Sequence, residues 1–145
     1  MNKKAVFIGS GNMSSSIIRG IVKSGKIAPS NIYATDIDEI KLNELHIELD
    51  INVSTDNTSV LEGADYVFLC VKPDKIISVC GEIREFIGEN TTVISIAAGI
   101  PVQTLTNALG PDKNIIRIMP NLPISVGEGM CMICENEKID PAIMQ

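Results

Sequence analysis

The stretch AVFIGSGNMS, residues 5–14, decides the fold class. Its first four residues are apolar, as in a short buried strand, and Gly-Ser-Gly follows directly. Gly9 permits a tight turn out of the strand, and Gly11 lets the backbone approach a pyrophosphate, where a Cβ would intrude. Because a helix is predicted next, its free N–H groups would face the phosphates. The third glycine of the general fingerprint is Ser14 here, which is small enough for close packing of helix and strand.

Short apolar runs alternate with longer segments of helical periodicity along the rest of the chain. Six runs predict strands, at residues 5–8, 31–35, 51–53, 65–71, 92–96 and 114–119. Four helices are predicted between them: one that ends near Gly25, one with Leu42, Leu45 and Leu49 on its apolar face, one from Pro73 to Gly88, and one from Pro101 to about Leu109. The alternation predicts an α/β fold, a Rossmann-like, doubly wound, mostly parallel sheet with helices on both faces and strand order 3-2-1-4-5-6. Residues 130–134 are compatible with one further strand.

The composition argues against several classes of protein. Apolar residues make up 45% of the 145 residues, and with 3% aromatics and no Trp the core must be mainly aliphatic. The net charge of −6 argues against nucleic-acid binding, because an acidic surface repels a phosphate backbone. No apolar stretch approaches the ~20 residues that span a bilayer, and the first apolar run is too short for a signal peptide. We therefore expect a cytoplasmic protein with no nucleic-acid or membrane partner.

Two of the four cysteines, Cys131 and Cys134, have the C-x-x-C spacing of redox and metal sites. They lie in an apolar stretch that is typical of a strand, and a structural zinc needs four ligands. The only histidine, His46, is far away along the chain. We therefore predict a strand here and no metal site.

An acidic residue, Asp36, follows the second predicted strand. A carboxylate at this place usually binds the adenosine ribose hydroxyls and repels a 2′-phosphate, which favours NAD. The alternative is that Asp36 or Asp38 caps the helix that follows, and each of the two could take one role.

Four segments of the sequence recur in the same order in pyrroline-5-carboxylate reductases. They are IGSGNM at residues 8–13, VKP at 71–73, SIAAGI at 95–100 and RIMPNLP at 117–123, and VGEG at 126–129 continues the match. The chain resembles the N-terminal, dinucleotide-binding domain of these enzymes up to about residue 134. The segment at 117–123 is the most discriminating, and its one departure is Leu122, where these enzymes usually have Thr.

The resemblance implies NADP or NAD as the cofactor. Asn57 would lie near the adenosine half, although it could equally cap the short helix that follows it. Small residues at 97–99 would leave room for the nicotinamide. No catalytic proton donor is predicted. The predicted cofactor-binding residues are Ile8, Gly9, Ser10, Gly11, Asn12, Met13, Asp36, Asn57, Cys70, Val71, Lys72, Pro73, Ile96, Ala97 and Ala98.

The resemblance also implies a domain organisation and an activity. Residues 1–134 would form the dinucleotide-binding domain, and residues 135–145 would begin the connection to a helical C-terminal domain that builds the homo-oligomer and contacts the substrate. The activity would be NAD(P)H-dependent reduction of 1-pyrroline-5-carboxylate, a small molecule, to L-proline, the last step of proline synthesis. The 145-residue chain alone is expected to be inactive. The alternatives are a free-standing dinucleotide-binding module without activity and a related imine or β-hydroxyacid reductase.

Overall fold

The computed structural model describes residues 2–120 and the strand Cys131–Glu135. The predicted segments at 121–123 and 126–129 lie outside the described residues, as do the side chains of Cys131 and Cys134. Among the described residues, no group of three or more histidine, cysteine or acidic side chains could hold a metal ion. None of the helices in this part of the chain is long and apolar enough to cross a membrane.

The strands of the described residues form one sheet in the order β3-β2-β1-β4-β5-β6-β7. The first six are parallel, as predicted, and β7 pairs with β6 in the antiparallel direction. The strands are β1 Ala5–Ile8, β2 Ile32–Thr35, β3 Asn52–Ser54, β4 Tyr66–Leu69, β5 Thr92–Ser95, β6 Asn114–Pro120 and β7 Cys131–Glu135. The predicted fold class and strand order are therefore confirmed.

Four α-helices connect the parallel strands, and their ends follow local chemistry. They are α1 Asn12–Ser24, α2 Glu39–Leu49, α3 Ile76–Ile83 and α4 Val102–Leu109. Helix α1 ends at Gly25, which adopts the left-handed conformation with φ 69° and donates its N–H to Val22. Helix α2 begins after Asp38, whose carboxylate accepts from the N–H groups of Ile40 and Lys41.

The single helix predicted from Pro73 to Gly88 is divided into three pieces. A 3-10 turn at Pro73–Lys75 precedes α3, and another at Arg84–Phe86 follows it. Pro73 fixes φ at the first position of the 3-10 turn, so that turn starts where a helix start was expected. At the other end, Ile87 is already extended, with φ −79° and ψ 121°, because the chain must turn back towards β5.

The hydrophobic core has one layer on each face of the sheet. Val6 and Ile8 of β1 point into the layer shared with α3 and α4, whereas Ala5 and Phe7 point into the layer shared with α1 and α2. All four residues are at most 1% exposed. Phe7 also stacks on Phe68 of β4, with ring centroids 4.3 Å apart. Burial on both faces explains why this strand is apolar throughout rather than alternating.

Candidate functional site

The turn between β1 and α1 lies at the carboxyl edge of the sheet. Gly9 has φ 101° and donates its N–H to the carbonyl of Thr35 at 2.9 Å. A Cβ on Gly9 would lie 2.7 Å from the carbonyl oxygen of Cys70, closer than real Cβ contacts come. The first glycine of the turn is therefore required both by its backbone conformation and by the approach of β4.

Gly11 has a different role, because neither its backbone conformation nor its surroundings among the described residues require a glycine. Its φ of −69° is open to any residue, and a Cβ placed on it would meet no atom within 4 Å. Gly11 is the N-cap of α1, and no side chain of the described residues caps this helix. The first N–H groups of α1 therefore face open space, which fits an anionic group that must come close to the backbone.

The carboxylate of Asp36 is bound to this turn. Its Oδ2 accepts from the N–H and from the hydroxyl of Ser10, both at 2.8 Å. Its Oδ1 accepts from the N–H of Asp38 at 3.0 Å. Burial of Asp36 raises its pKa, but the hydrogen bonds from Asp38 and Ser10 and the charge of Lys41 outweigh burial, so the pKa lies below its ordinary value. Asp36 is therefore a carboxylate at neutral pH.

The two aspartates after β2 divide the roles that sequence analysis had left open. Asp38 caps α2 through its own Oδ1, which accepts from Ile40 at 3.0 Å and Lys41 at 3.3 Å. Asp36 lies against the phosphate-loop candidate instead. Its predicted contact with a ribose stays a prediction.

Asn57 does not cap the short 3-10 helix Thr58–Val60 that follows it, so that alternative is wrong. Asp56, one residue earlier, accepts from the N–H of Thr58 at 2.9 Å. The Oδ1 of Asn57 accepts from the hydroxyl of Thr35 at 2.5 Å, and its Nδ2 lies 3.4 Å from a carboxylate oxygen of Glu82 on α3. The Asn57 amide is thus held at the end of β2.

The second half of the predicted site lies at the carboxyl ends of β4 and β5. The Cys70 N–H donates to the Ile8 carbonyl at 2.8 Å, and the Ile96 N–H donates to the Leu69 carbonyl at 3.2 Å. Burial raises the pKa of the Cys70 thiol to about 12, so this thiol is neutral at physiological pH. It therefore contributes neither a charge nor a thiolate to the crevice.

The remaining predicted residues lie along the same edge of the sheet. Ala97 is buried and donates its N–H to the hydroxyl of Ser95 at 3.2 Å, whereas Ala98 is exposed. Residues 71–73 pass from half-buried Val71 to exposed Lys72 and Pro73. At the start of α1, Asn12 is exposed and Met13 is half-buried. The fold thus brings every predicted cofactor-binding residue to one edge.

Three features of the site were not predicted from the sequence. One is the hydroxyl contact of Ser10 with Asp36, and the second is the participation of Thr35 and Glu82 through Asn57. The third is a cleft of about 200 Å³ between α1 and α2. The cleft is lined by Ser10, Gly11, Asn12, Ser15, Arg19, Lys41, Glu44, Leu45 and Glu48. Only Ser10 carried a signal, since a serine inside a glycine-rich turn can donate to the acidic residue after the second strand.

The fold and this edge define the class of protein. A parallel sheet with a glycine-rich turn at a helix N-terminus and an acidic residue after the second strand is a dinucleotide-binding domain. The model of the family described as "NADP oxidoreductase coenzyme F420-dependent" matches residues 4–99. The chain belongs to this family.

Curated relatives indicate which enzymes the chain is similar to. The chain is 38% identical over 140 residues to a pyrroline-5-carboxylate reductase of Methanosarcina acetivorans and 38% identical over 141 residues to that of Escherichia coli. Each match covers 97% of this chain and 52% of the relative. The chain therefore spans about half the length of the curated relatives it matches.

Solved structures of pyrroline carboxylate reductases are also similar to this chain. A pyrroline-5-carboxylate reductase from Coxiella burnetii superposes with a TM-score of 0.94 at 32% identity, over 99% of this chain and 53% of the other. The Plasmodium falciparum pyrroline carboxylate reductase, a structure with NADP bound, gives 0.87 at 28% identity, over 97% of this chain and 51% of the other. A prephenate dehydrogenase from Aquifex aeolicus gives a TM-score of 0.82 at 18% identity, over 99% of this chain and 54% of the other. At this identity the match supports the fold alone. The resemblance to pyrroline-5-carboxylate reductases is confirmed.

Proposed function

We propose that the chain is the cofactor-binding half of an NAD(P)H-dependent reductase that converts 1-pyrroline-5-carboxylate to L-proline. The observation that carries this proposal is the continuous match to reductases of this name over 97% of the chain. In the reaction the C=N bond of the substrate gains a hydride at carbon and a proton at nitrogen. The nicotinamide cofactor supplies the hydride when it is bound.

The residues at the carboxyl edge fit such a cofactor. The open space at Gly11 and the uncapped start of α1 suit a pyrophosphate. The ionised Asp36 suits the ribose hydroxyls of the adenosine half, and the Asn57 amide is bonded to Thr35, the residue before Asp36. Because a carboxylate repels a 2′-phosphate, the site favours NADH, although the P. falciparum relative was crystallised with NADP.

The rest of the edge would position the reacting end. Residues 97–99 are small, and exposed Ala98 and Gly99 leave room for a flat ring beside the ends of β4 and β5. The described residues form one side of a crevice. Contacts to the substrate carboxylate and the source of the imine proton belong to a C-terminal domain, which residues 135–145 would connect to this one. Oligomer formation through that domain and a cytoplasmic location are further parts of the proposal.

Fluorescence titration of the 145-residue chain with NADH and NADPH tests the cofactor part. We expect saturable binding of both, with NADH the tighter ligand. The substrate part is tested by NAD(P)H oxidation with pyrroline-5-carboxylate, using a protein in which the C-terminal half of a relative is joined to this chain. Binding without turnover by that protein would refute the substrate assignment, and the absence of binding would refute the cofactor site as well.

A further inference from the structure

We propose that Ser10 is a positioning residue whose hydroxyl, anchored on Asp36, fixes the loop that receives the pyrophosphate. The inference rests on the proposed binding of a dinucleotide and goes beyond it. It gives Asp36 a second role besides binding the ribose hydroxyls. The ribose site at Asp36 and the phosphate loop would then be coupled through Ser10.

The contact between Ser10 and Asp36 is short and buried on the Ser10 side. Ser10 is 3% exposed, and its N–H and its hydroxyl both lie 2.8 Å from the Oδ2 atom of Asp36. The other oxygen of Asp36 is fixed by the N–H of Asp38 at 3.0 Å. The carboxylate therefore joins the β1–α1 turn to the β2–α2 turn, and it can rotate only if all three bonds are broken.

The Asp36 carboxylate does not need the Ser10 hydroxyl in order to have a hydrogen-bond donor on its Oδ2 atom. Any residue other than proline at position 10 could supply the N–H bond, so the hydroxyl adds a second charge-assisted bond from the same residue. The Ser10 carbonyl in turn accepts from the hydroxyl of Ser15 in α1 at 3.2 Å. Ser10 is thus held on one side by Asp36 and on the other by the helix.

The residues that follow Ser10 are the ones that would receive the pyrophosphate. Gly11, the next residue, has open space on its Cβ side and begins the helix whose N–H groups face the phosphate position. A glycine has more backbone freedom than any other residue, so this loop needs an anchor to hold its N–H groups in one arrangement. The buried Ser10 hydroxyl is that anchor, because removing it frees one side of the turn without removing any group that would touch the ligand's base.

The test uses Ser10→Ala in the 145-residue chain and three probes: NADH, ADP-ribose and adenosine. We expect about tenfold weaker binding of NADH and of ADP-ribose, the loss of one hydrogen bond to a charged group. Adenosine, which has the ribose and the base but no phosphate, should bind within about twofold of the wild type, on the scale of the smallest hydrogen-bond effects. Ser24→Ala is the matched control, because Ser24 lies at the other end of α1 and its hydroxyl bonds to backbone groups there, donating to the Ile21 carbonyl and accepting from the Lys26 N–H.

Two further variants keep the test decisive. Ser10→Cys fills nearly the same volume with a weaker donor and should lie between serine and alanine. In an Asp36→Ala background, Ser10→Ala should have no further effect on ADP-ribose, because the anchor is already lost. An equal loss of adenosine and ADP-ribose affinity, or additive effects in the double variant, would overturn the proposal. If the wild-type chain binds none of the probes, the proposed cofactor site itself has failed.

Discussion

At the scale of single residues, Asp36 is the side chain on which the choice of cofactor depends. Replacing it with serine removes the charge that repels a 2′-phosphate and one acceptor for a ribose hydroxyl. A hydrogen bond to a charged group contributes ~1.5–3 kcal/mol, so we expect the NADPH/NADH affinity ratio of Asp36→Ser to rise about tenfold or more. Titration with both reduced cofactors measures this ratio.

Asp38 provides the control for that experiment, since it is an aspartate two residues away with a purely local role. Asp38→Ala removes the cap of α2 and should lower the free energy of unfolding by about 1 kcal/mol. The cofactor ratio should stay unchanged. A ratio that moves as much in Asp38→Ala as in Asp36→Ser would mean that α2, rather than the Asp36 carboxylate, sets the preference.

The lowered pKa of Asp36 predicts an acid-sensitive contribution to stability. The unfolded chain has the ordinary value of 3.8, and the folded pKa lies below it, so the ionised group stabilises the fold at all pH values above 3.8. As the pH falls below 3.8, the unfolded state binds the proton first and this contribution is lost. The difference in the free energy of unfolding between the wild type and Asp36→Asn should therefore shrink on acidification. Denaturant unfolding between pH 3 and pH 7, about one unit below and three above the ordinary pKa, measures this difference. A constant difference would mean that the carboxylate's charge is not involved.

Residue roles were partly predictable from the sequence. The pattern placed a carboxylate after β2 but could not assign Asp36 and Asp38, because both precede a helix and both can accept from free N–H groups. For Asn57 the capping alternative failed because its amide is bonded to Thr35 and Glu82 instead. The contact of Asn57 with Glu82 could not be predicted from the sequence, because it joins two residues that are brought together only in the folded protein.

At the scale of elements, the β1–α1 turn contains two glycines with opposite requirements, and their substitution separates binding from folding. Gly11→Val places its side chain in the open space where the pyrophosphate is expected. We expect a folded protein with NADH affinity reduced at least tenfold, the minimum for losing one phosphate contact. Circular dichroism and NADH titration of the same sample check both parts, and unchanged affinity in a folded variant would refute the phosphate-loop assignment.

Gly9 should behave in the opposite way. Gly9→Ala imposes a positive φ on a residue with a Cβ and a 2.7 Å contact with the Cys70 carbonyl. Strain of this kind costs on the order of 1–3 kcal/mol, and the backbone clash adds to it. Thermal unfolding should therefore show a clear loss of stability in Gly9→Ala and little change in Gly11→Val.

The order and type of the elements were predictable because the strands are short apolar runs and the longer helices carry apolar residues at helical spacing, which gives two distinct patterns. Their ends were less so. The strand predicted at residues 65–71 stops at Leu69, and the Cys70 N–H makes the last bond to β1, at the Ile8 carbonyl. The helix predicted from Pro73 divides, since a 3-10 turn and an α-helix share the same apolar spacing over three residues.

At the scale of the whole molecule, the chain spans about half the length of the curated relatives it matches. We expect the 145-residue chain to bind a dinucleotide but not to reduce pyrroline-5-carboxylate at a useful rate. Correct positioning contributes ~7–11 kcal/mol in well-oriented reactions, and a one-sided site loses much of it. NAD(P)H oxidation by this chain, compared with a longer reductase under the same conditions, measures the difference. Comparable turnover would mean that the catalytic groups lie within these residues.

The turn after β1 is fastened to β2 by the Gly9–Thr35 bond and pressed against β4 at Cys70. Thr35 and Cys70 are distant from Gly9 along the chain. The contacts that fix the shape of the loop are therefore absent until β1 has paired with β2 and β4. During synthesis, we expect the binding-competent turn to form after residue 70 has left the ribosome and β1 has paired with β2 and β4. Contacts of such long sequence separation form slowly and together. Ligand recognition would therefore appear abruptly as the sheet closes, and a nascent chain that ends before β4 would have the glycine motif without its function.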